Sequence, residues 1–346
     1  MLRDALATLP PTLDQTYDRI LSAISETDSE FAIRILQWLT FSARPLSIDE
    51  VAEVVAINAK RDPAFDRDEV LEEPLEALNI CSSLVTMAVG NDDKWGEPRQ
   101  VVALAHYSVK EYLLSDRIWT GKAAKYGMRD DVCHDAISSS CLGYLLQFQQ
   151  TMLAPDSFLE MFQLARYSAE FWISHFQKTG DQSKDTSRVA SRLFSKDNPA
   201  YINWIRLYDP DRPQDKPDFH RGPWEIPNPL YYAGLSGLRN VVKLLLNKDA
   251  DVNAQGGEYG NALQVASSRG HEQIVKLLLD KDADVNAQGG RYGNALQAAS
   301  FRGHEQIVKL LLDKDADVNA QDGEYGNALQ AASFRGHEQI VKLLVE

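Results

Sequence analysis

Residues 261–293 read NALQVASSRGHEQIVKLLLDKDADVNAQGGRYG, and residues 294–326 read NALQAASFRGHEQIVKLLLDKDADVNAQDGEYG. The block is 33 residues long, and the two copies differ at four positions. Residues 228–260 are a degenerate copy, and residues 327–346 a copy that stops partway. Self-similarity at this period means stacked structural units, because one unit of this size cannot bury its own apolar face.

The order of events inside a unit follows from its residues. Asn294 predicts a helix N-cap, its side-chain oxygen accepting from a free N–H of the first turn. Leu296, Ala299 and Ser300 share one face, small enough for a neighbouring helix to approach closely. Gly303-His304 breaks that helix, and Ile307, Val308, Leu310, Leu311 and Leu312 form a more apolar second one. Asp317-Val318-Asn319 then leads to Gly323 and Gly326, the turn chemistry of a projecting hairpin.

The period, the G-H-x-x-I-V-K-L-L-L segment and the A-D-V-N segment resemble the ankyrin repeat over residues 228–346, in units 228–260, 261–293, 294–326 and a partial 327–346. Two departures stand out. The family's T-P-L-H is Asn-Ala-Leu-Gln here, so Asn and Gln must make the capping and inter-repeat bonds. The family's glycine before A-D-V-N is Asp249, Asp282 and Asp315, and Asp tolerates left-handed backbone at some cost. The resemblance implies a protein partner bound on a concave surface of hairpin tips and first helices. His271, His304 and His337 are structural in that family; stacked helices ~8–10 Å apart cannot bring them to the ~2 Å of metal–nitrogen bonds.

The copy-to-copy differences support that use. They are Val265/Ala298, Ser268/Phe301, Gly289/Asp322 and Arg291/Glu324, all in the hairpin or first helix. Ser268, Phe301 and Phe334 occupy the family's helix contact position, and Glu258, Arg291 and Glu324 a finger position. Tyr259, Tyr292 and Tyr325 with Arg269, Arg302 and Arg335 add the residue types enriched at interface hot spots; alternatively, the tyrosines only stiffen the fingers. The last helix keeps Ile340, Val341, Leu343, Leu344 and Val345 with nothing following, which implies a longer array or self-association at that edge.

Residues 208–227 hold Pro210, Pro213, Pro217, Pro223 and Pro227, a density that forbids helix and reads as a linker. Residues 121–207 read as a helical-hairpin connector. Within it Phe158, Phe162, Ala165, Ala169, Trp172 and Phe176 step as one helix face meant for burial.

In residues 1–120, helices are marked by Leu13, Tyr17, Ile20, Leu21 and Ile24, and by Phe31, Ile35, Trp38 and Leu39. Ser47-Ile48-Asp49-Glu50 opens a third as a capping box, and Leu71 to Ser82 forms a fourth. Two β-prone runs, 84–89 and 101–105, flank a polar turn from Gly90 to Gln100, and a helix over 110–116 follows. Helices followed by a two-stranded wing is the order of a winged helix.

Leu9-Pro10, Tyr17-Asp18-Arg19-Ile20-Leu21, Arg34 to Leu39, Arg44-Pro45-Leu46-Ser47, Cys81 to Val85 and Ala105 to Leu113 resemble the winged-helix module that follows the NACHT nucleotide-binding domain in fungal NLR-like (STAND) proteins. This winged helix also carries the name of GPI inositol-deacylase, yet the chain has no G-x-S-x-G elbow. In such switch proteins a histidine at a strand-to-helix junction senses ADP, which makes His106 a candidate; the alternative is packing or helix capping. No G-x-x-x-x-G-K-[ST] phosphate loop occurs, so the chain is expected not to hydrolyse ATP.

Charge narrows the partners. Lys and Arg number 36 against 50 Asp and Glu, a net of −14, and residues 1–120 hold 11 basic and 21 acidic residues. The expected reading helix carries Glu72, Glu73 and Glu76, which argues against DNA. No apolar run approaches the ~18 residues of a membrane span, and Met1 to Ala5 lacks a secretory core, so the expected compartment is the cytoplasm. Cys81, Cys133 and Cys141 fit a reducing environment.

The expectation is therefore a mainly α chain: a winged-helix domain with a small β-hairpin wing, a helical-hairpin connector and an α-solenoid of ankyrin repeats. Its expected function is non-catalytic protein–protein interaction related to fungal NLR-like signalling, with no cofactor, metal, nucleic acid or membrane. The runner-up is a regulatory fragment of an ATP/ADP switch whose NACHT domain acts in trans or in a longer gene product.

Overall fold

A computed structural model describes residues 12–91, 98–149, 155–179, 183–195 and 197–345. Leu9-Pro10 and residues 92–97 of the expected wing turn lie outside the described residues. The chain divides into two compact units, 1–147 with 156–183, and 148–155 with 184–346. Residues 121–207, read as one connector, are thus shared between them.

In the first unit, Thr12 caps α1 (Leu13–Ser22) and Ser25 caps α2 (Glu26–Phe41). Tyr17, Leu21, Ile35, Leu36 and Trp38 are buried on their inner faces. The capping box is present at α3 (Ile48–Val55): the Glu50 N–H donates to Ser47 Oγ at 3.2 Å, and the Ser47 N–H to Glu50 Oε2 at 2.8 Å. Arg44 adds two bonds to the buried Glu50 carboxylate, at 2.9 and 2.6 Å. A carboxylate removed from water needs such donors, so one Glu fixes both the helix start and the strand before it.

The wing pairs β2 (Val85–Asn91) with β3 (Pro98–Leu104), antiparallel and with Val85 opposite Leu104. A short strand that the sequence does not announce, β1 (Leu46–Ser47), pairs with the other edge of β3, giving the order β1-β3-β2. Gly90, Asn91 and residues 98–100 belong to strands, so the turn is shorter than the sequence implies. The fourth helix is also shorter, α4 (Glu76–Cys81), because Pro74 disfavours helical backbone at the residue before it. After β3 comes α5 (Tyr107–Leu114).

The rest of this unit is α6 (Asp130–Leu146), α7 (Pro155–Met161) and α8 (Ala165–Gln177). The stripe Phe158 to Phe176 is not one helix: it breaks between α7 and α8. Glu53 of α3 receives the Gln163 N–H at 3.1 Å, the Leu164 N–H at 2.9 Å and the Tyr144 hydroxyl at 2.6 Å. That carboxylate meets the free donors at the start of α8, where helix N–H groups have no internal partner. Burial raises the Glu53 pKa.

The second unit opens with α9 (Lys184–Leu193) and α10 (Pro199–Leu207), followed by helix pairs α11 (Pro229–Leu235) and α12 (Arg239–Leu246), α13 (Ala262–Arg269) and α14 (Glu272–Leu279), α15 (Ala295–Arg302) and α16 (Glu305–Leu312), α17 (Ala328–Arg335) and α18 (Glu338–Val345). Tyr201 and Trp204 of α10 set their rings 6.4 and 6.0 Å from that of Tyr232 in α11, so α10 extends the row of first helices.

The proline-rich segment is bound to the array. The Tyr232 hydroxyl donates to Asp209 at 2.7 Å, Tyr231 to Asp211 at 2.8 Å, and Tyr201 to the Pro227 carbonyl at 2.8 Å. Burial pushes the Asp211 carboxyl up to about 6.

Candidate functional site

The array is assembled by bonds that recur from copy to copy. Asn261, Asn294 and Asn327 cap α13, α15 and α17, each accepting the backbone N–H of the glutamine three residues on, at 2.8–2.9 Å. The side-chain nitrogen of that glutamine then holds the following hairpin: Gln264 donates to the carbonyls of Ala287, Gly289 and Gly293, and Gln297 to those of Ala320, Asp322 and Gly326. Asn and Gln therefore do the work that the sequence assigns to them. Asp249, Asp282 and Asp315 adopt the left-handed backbone, with φ of 57°, 59° and 62°. The ring Nε2 of His271, His304 and His337 lies 3.3, 3.1 and 3.1 Å from the carbonyl oxygens of Leu235, Ser268 and Phe301, at the end of the preceding first helix. These histidines tie repeats together, and no cluster of metal-ligating side chains occurs among the described residues.

The hairpin tips join edge to edge. The Arg291 N–H donates to the Glu258 carbonyl at 2.9 Å and the Glu324 N–H to the Arg291 carbonyl at 3.2 Å. The Arg291 guanidinium lies between two carboxylates, 3.2 Å from Glu324 and 3.3 Å from Glu258. The hydrogen bond to Glu324 is the main cause of its raised pKa.

Behind the tips runs a continuous aromatic file. Ring centroids are 5.7 Å apart for Tyr259–Tyr292, 5.2 Å for Tyr292–Phe301, 4.3 Å for Phe301–Tyr325 and 5.5 Å for Tyr325–Phe334. Tyr259, Tyr292, Phe301 and Ser268 are buried, whereas Phe334 is 71% exposed. The buried four were expected at the contact surface; the array uses them for its own packing, and they have little surface to offer. The tyrosines stiffen the fingers by this stacking. Arg269, Arg302 and Arg335 are exposed and lie over the file: Arg269 above Tyr259 at 5.4 Å, Arg302 above Tyr292 at 5.8 Å, and Arg335 above Phe301 at 5.0 Å. The accessible chemistry of these tips and helix ends is thus guanidinium and carboxylate, with Phe334 an exposed apolar side chain.

His106, the other candidate, caps α5. Its Nδ1 accepts the Ser108 N–H at 3.1 Å and sits 2.6 Å from the Ser108 hydroxyl, which in turn lies 2.6 Å from the Tyr17 hydroxyl.

Sequence reasoning missed a buried polar chain in the first unit. The Ala43 N–H donates to the Tyr167 hydroxyl at 2.9 Å, which lies 2.8 Å from His175 Nε2; His175 Nδ1 is 2.7 Å from His134 Nδ1. With Ala43 filling the hydroxyl's acceptor side, Tyr167 donates to His175, and His175 to His134. Burial and the neighbouring His134 lower the His175 pKa to about 3. Both rings are neutral and satisfied. Local periodicity carries no sign of this chain, because its members come from α6, α8 and the loop after α2.

Comparison with known proteins agrees with both halves. A family model described as ankyrin repeats matches residues 207–289, 230–322 and 288–346. One described as the GPI inositol-deacylase winged helix domain matches residues 17–129. A relative from Monascus ruber, azaphilone pigments biosynthesis cluster protein L, is 39% identical over 268 residues, or 74% of this chain. The chain spans 56% of that relative's length. It carries a winged-helix domain of the GPI inositol-deacylase type followed by ankyrin repeats.

Proposed function

We propose that this is a non-catalytic protein-binding protein whose ankyrin groove takes a protein partner in the cytoplasm, in a setting related to fungal NLR-like signalling. The observation that carries the reading is the bonded array of the second unit, where the hairpin residue Arg291 and the first-helix residues Arg302, Arg335 and Phe334 are left accessible. Such preorganisation lowers the ordering cost of binding. The buried polar groups of the first unit, Glu53 and the His134–His175 pair, have internal partners rather than an open cleft. Burial raises all three thiols, to about 12 at Cys81 and Cys141 and about 11 at Cys133, leaving them poor nucleophiles.

Other supports are compositional and geometric. Glu72, Glu73 and Glu76 are exposed at the entrance to α4, which disfavours a phosphate backbone there. Among the described residues no helix is long and apolar enough to cross a membrane. The Monascus relative's name specifies a pigment cluster and no reaction.

The test uses the full chain to capture partners from an extract of the source organism, then measures the affinity of the purified partner. Arg291→Ala or Phe334→Ala should cost ~1–3 kcal/mol, whereas Lys309→Ala on a second helix should leave binding unchanged. A partner indifferent to every groove substitution would retire the reading.

A further inference from the structure

Three guanidiniums recur once per repeat at the ends of the first helices, and their situation differs from that of Arg291 at a hairpin tip. Arg291 is neutralised by Glu258 and Glu324. Arg269, Arg302 and Arg335 have no carboxylate within salt-bridge distance among the described residues, and all three are exposed. Each lies over a ring of the aromatic file, which occupies part of its π-face and restricts its direction. A stacked guanidinium keeps its in-plane N–H donors for planar acceptors, and carboxylates match that fork. The degenerate first repeat has Ser236 at the corresponding position, so the ladder has three rungs.

The rungs stand one repeat apart, and neighbouring packed helices are ~8–10 Å apart. A peptide in the polyproline II conformation rises ~3.1 Å per residue with three residues per turn, so every third side chain returns to the same face ~9 Å further on. We propose that Arg269, Arg302 and Arg335 dock an acidic segment of the partner protein in the polyproline II conformation, with an Asp or Glu at about every third residue. This rests on the groove reading above and narrows its partner. A peptide is favoured over a nucleic acid because the acidic tips Glu258 and Glu324 and the chain's net charge of −14 repel a backbone charged at every nucleotide more strongly than a segment charged at every third residue.

The test measures fluorescence anisotropy of labelled synthetic peptides against the full chain at low and moderate salt. One peptide carries Asp or Glu at every third position among serine and glutamine; a second has the same composition with the acids clustered; a third replaces the acids by amides. A single-stranded oligonucleotide is the phosphate arm. The regularly spaced peptide should bind more than about ten-fold tighter than the amide peptide, and tighter than the clustered one. Arg269→Gln, Arg302→Gln and Arg335→Gln should each weaken it about five-fold, with unchanged melting temperature. Lys276→Gln, on a second helix, should leave it unaltered.

Equal binding of the amide or clustered peptide, insensitivity to the arginine substitutions, or tighter binding of the oligonucleotide would each overturn the proposal. So would a concentration-dependent dimer abolished by the same substitutions, which would make a second copy the occupant. Failure here with a captured partner that still depends on Arg291 or Phe334 would remove the acidic ligand and leave the groove reading standing.

Discussion

Gln297 carries more of the array than its polarity suggests. It is buried, and its amide nitrogen reaches three hairpin carbonyls at 3.2, 3.1 and 2.8 Å. Those oxygens cannot all find water once the helices stack, so losing the amide exposes the full cost of leaving them unmet. Gln297→Ala is expected to destabilise the second unit by ~1–3 kcal/mol, read from the urea midpoint. Gln330 is exposed and makes no such side-chain bonds among the described residues, so Gln330→Ala should shift the midpoint far less. The sequence shows at this scale that Asn and Gln must replace the family's usual residues, because Asn-Ala-Leu-Gln recurs at 261–264, 294–297 and 327–330. It does not show that Tyr292 and Phe301 are covered, since that depends on rings one repeat away stacking over them.

Among elements, α6 and α8 illustrate the opposite case. Their apolar face is legible, but the start of α8 is set by Glu53, more than a hundred residues earlier in the chain, and the aromatic stripe crosses the break without a local signal. The histidine pair between these helices gives the first unit a pH dependence of definite sign. Folding lowers the His175 pKa from the usual ~6.5 to about 3. As pH falls below the unfolded value, the unfolded chain takes up the proton first, so stability is fully present above that value and is lost toward the folded one. The slope is about 1.4 kcal/mol per pH unit, or ~2 kcal/mol by pH 5. Urea titrations at pH 7.5 and pH 5 check this, and His175→Asn should reduce the difference. A wild-type profile without that decline would contradict the neutral, buried pair.

For the whole molecule, the sequence indicates a winged helix and a solenoid, because one has a strand–turn–strand signature after its helices and the other nearly repeats itself. The grouping of α6 to α8 with the winged helix, and of residues 208–227 with the array, was not legible. Pro density announces the absence of helix, yet Asp209 and Asp211 meet Tyr232 and Tyr231 only after the chain has doubled back. Each unit has its own core, so calorimetry should resolve two cooperative transitions, with Gln297→Ala lowering one and His175→Asn the other.

The bonds between repeats share the same offsets: Asn253 to Asp282 matches Asn286 to Asp315, and His304 to Ser268 matches His337 to Phe301. A block of 33 residues can therefore be excised or inserted in register: with residues 294–326 removed, His337 meets the Ser268 carbonyl in place of that of Phe301. The chain with residues 294–326 deleted should still fold cooperatively, with a lower unfolding enthalpy for the shortened unit. Length is then a heritable variable that unequal recombination could reset without redesigning a single joint.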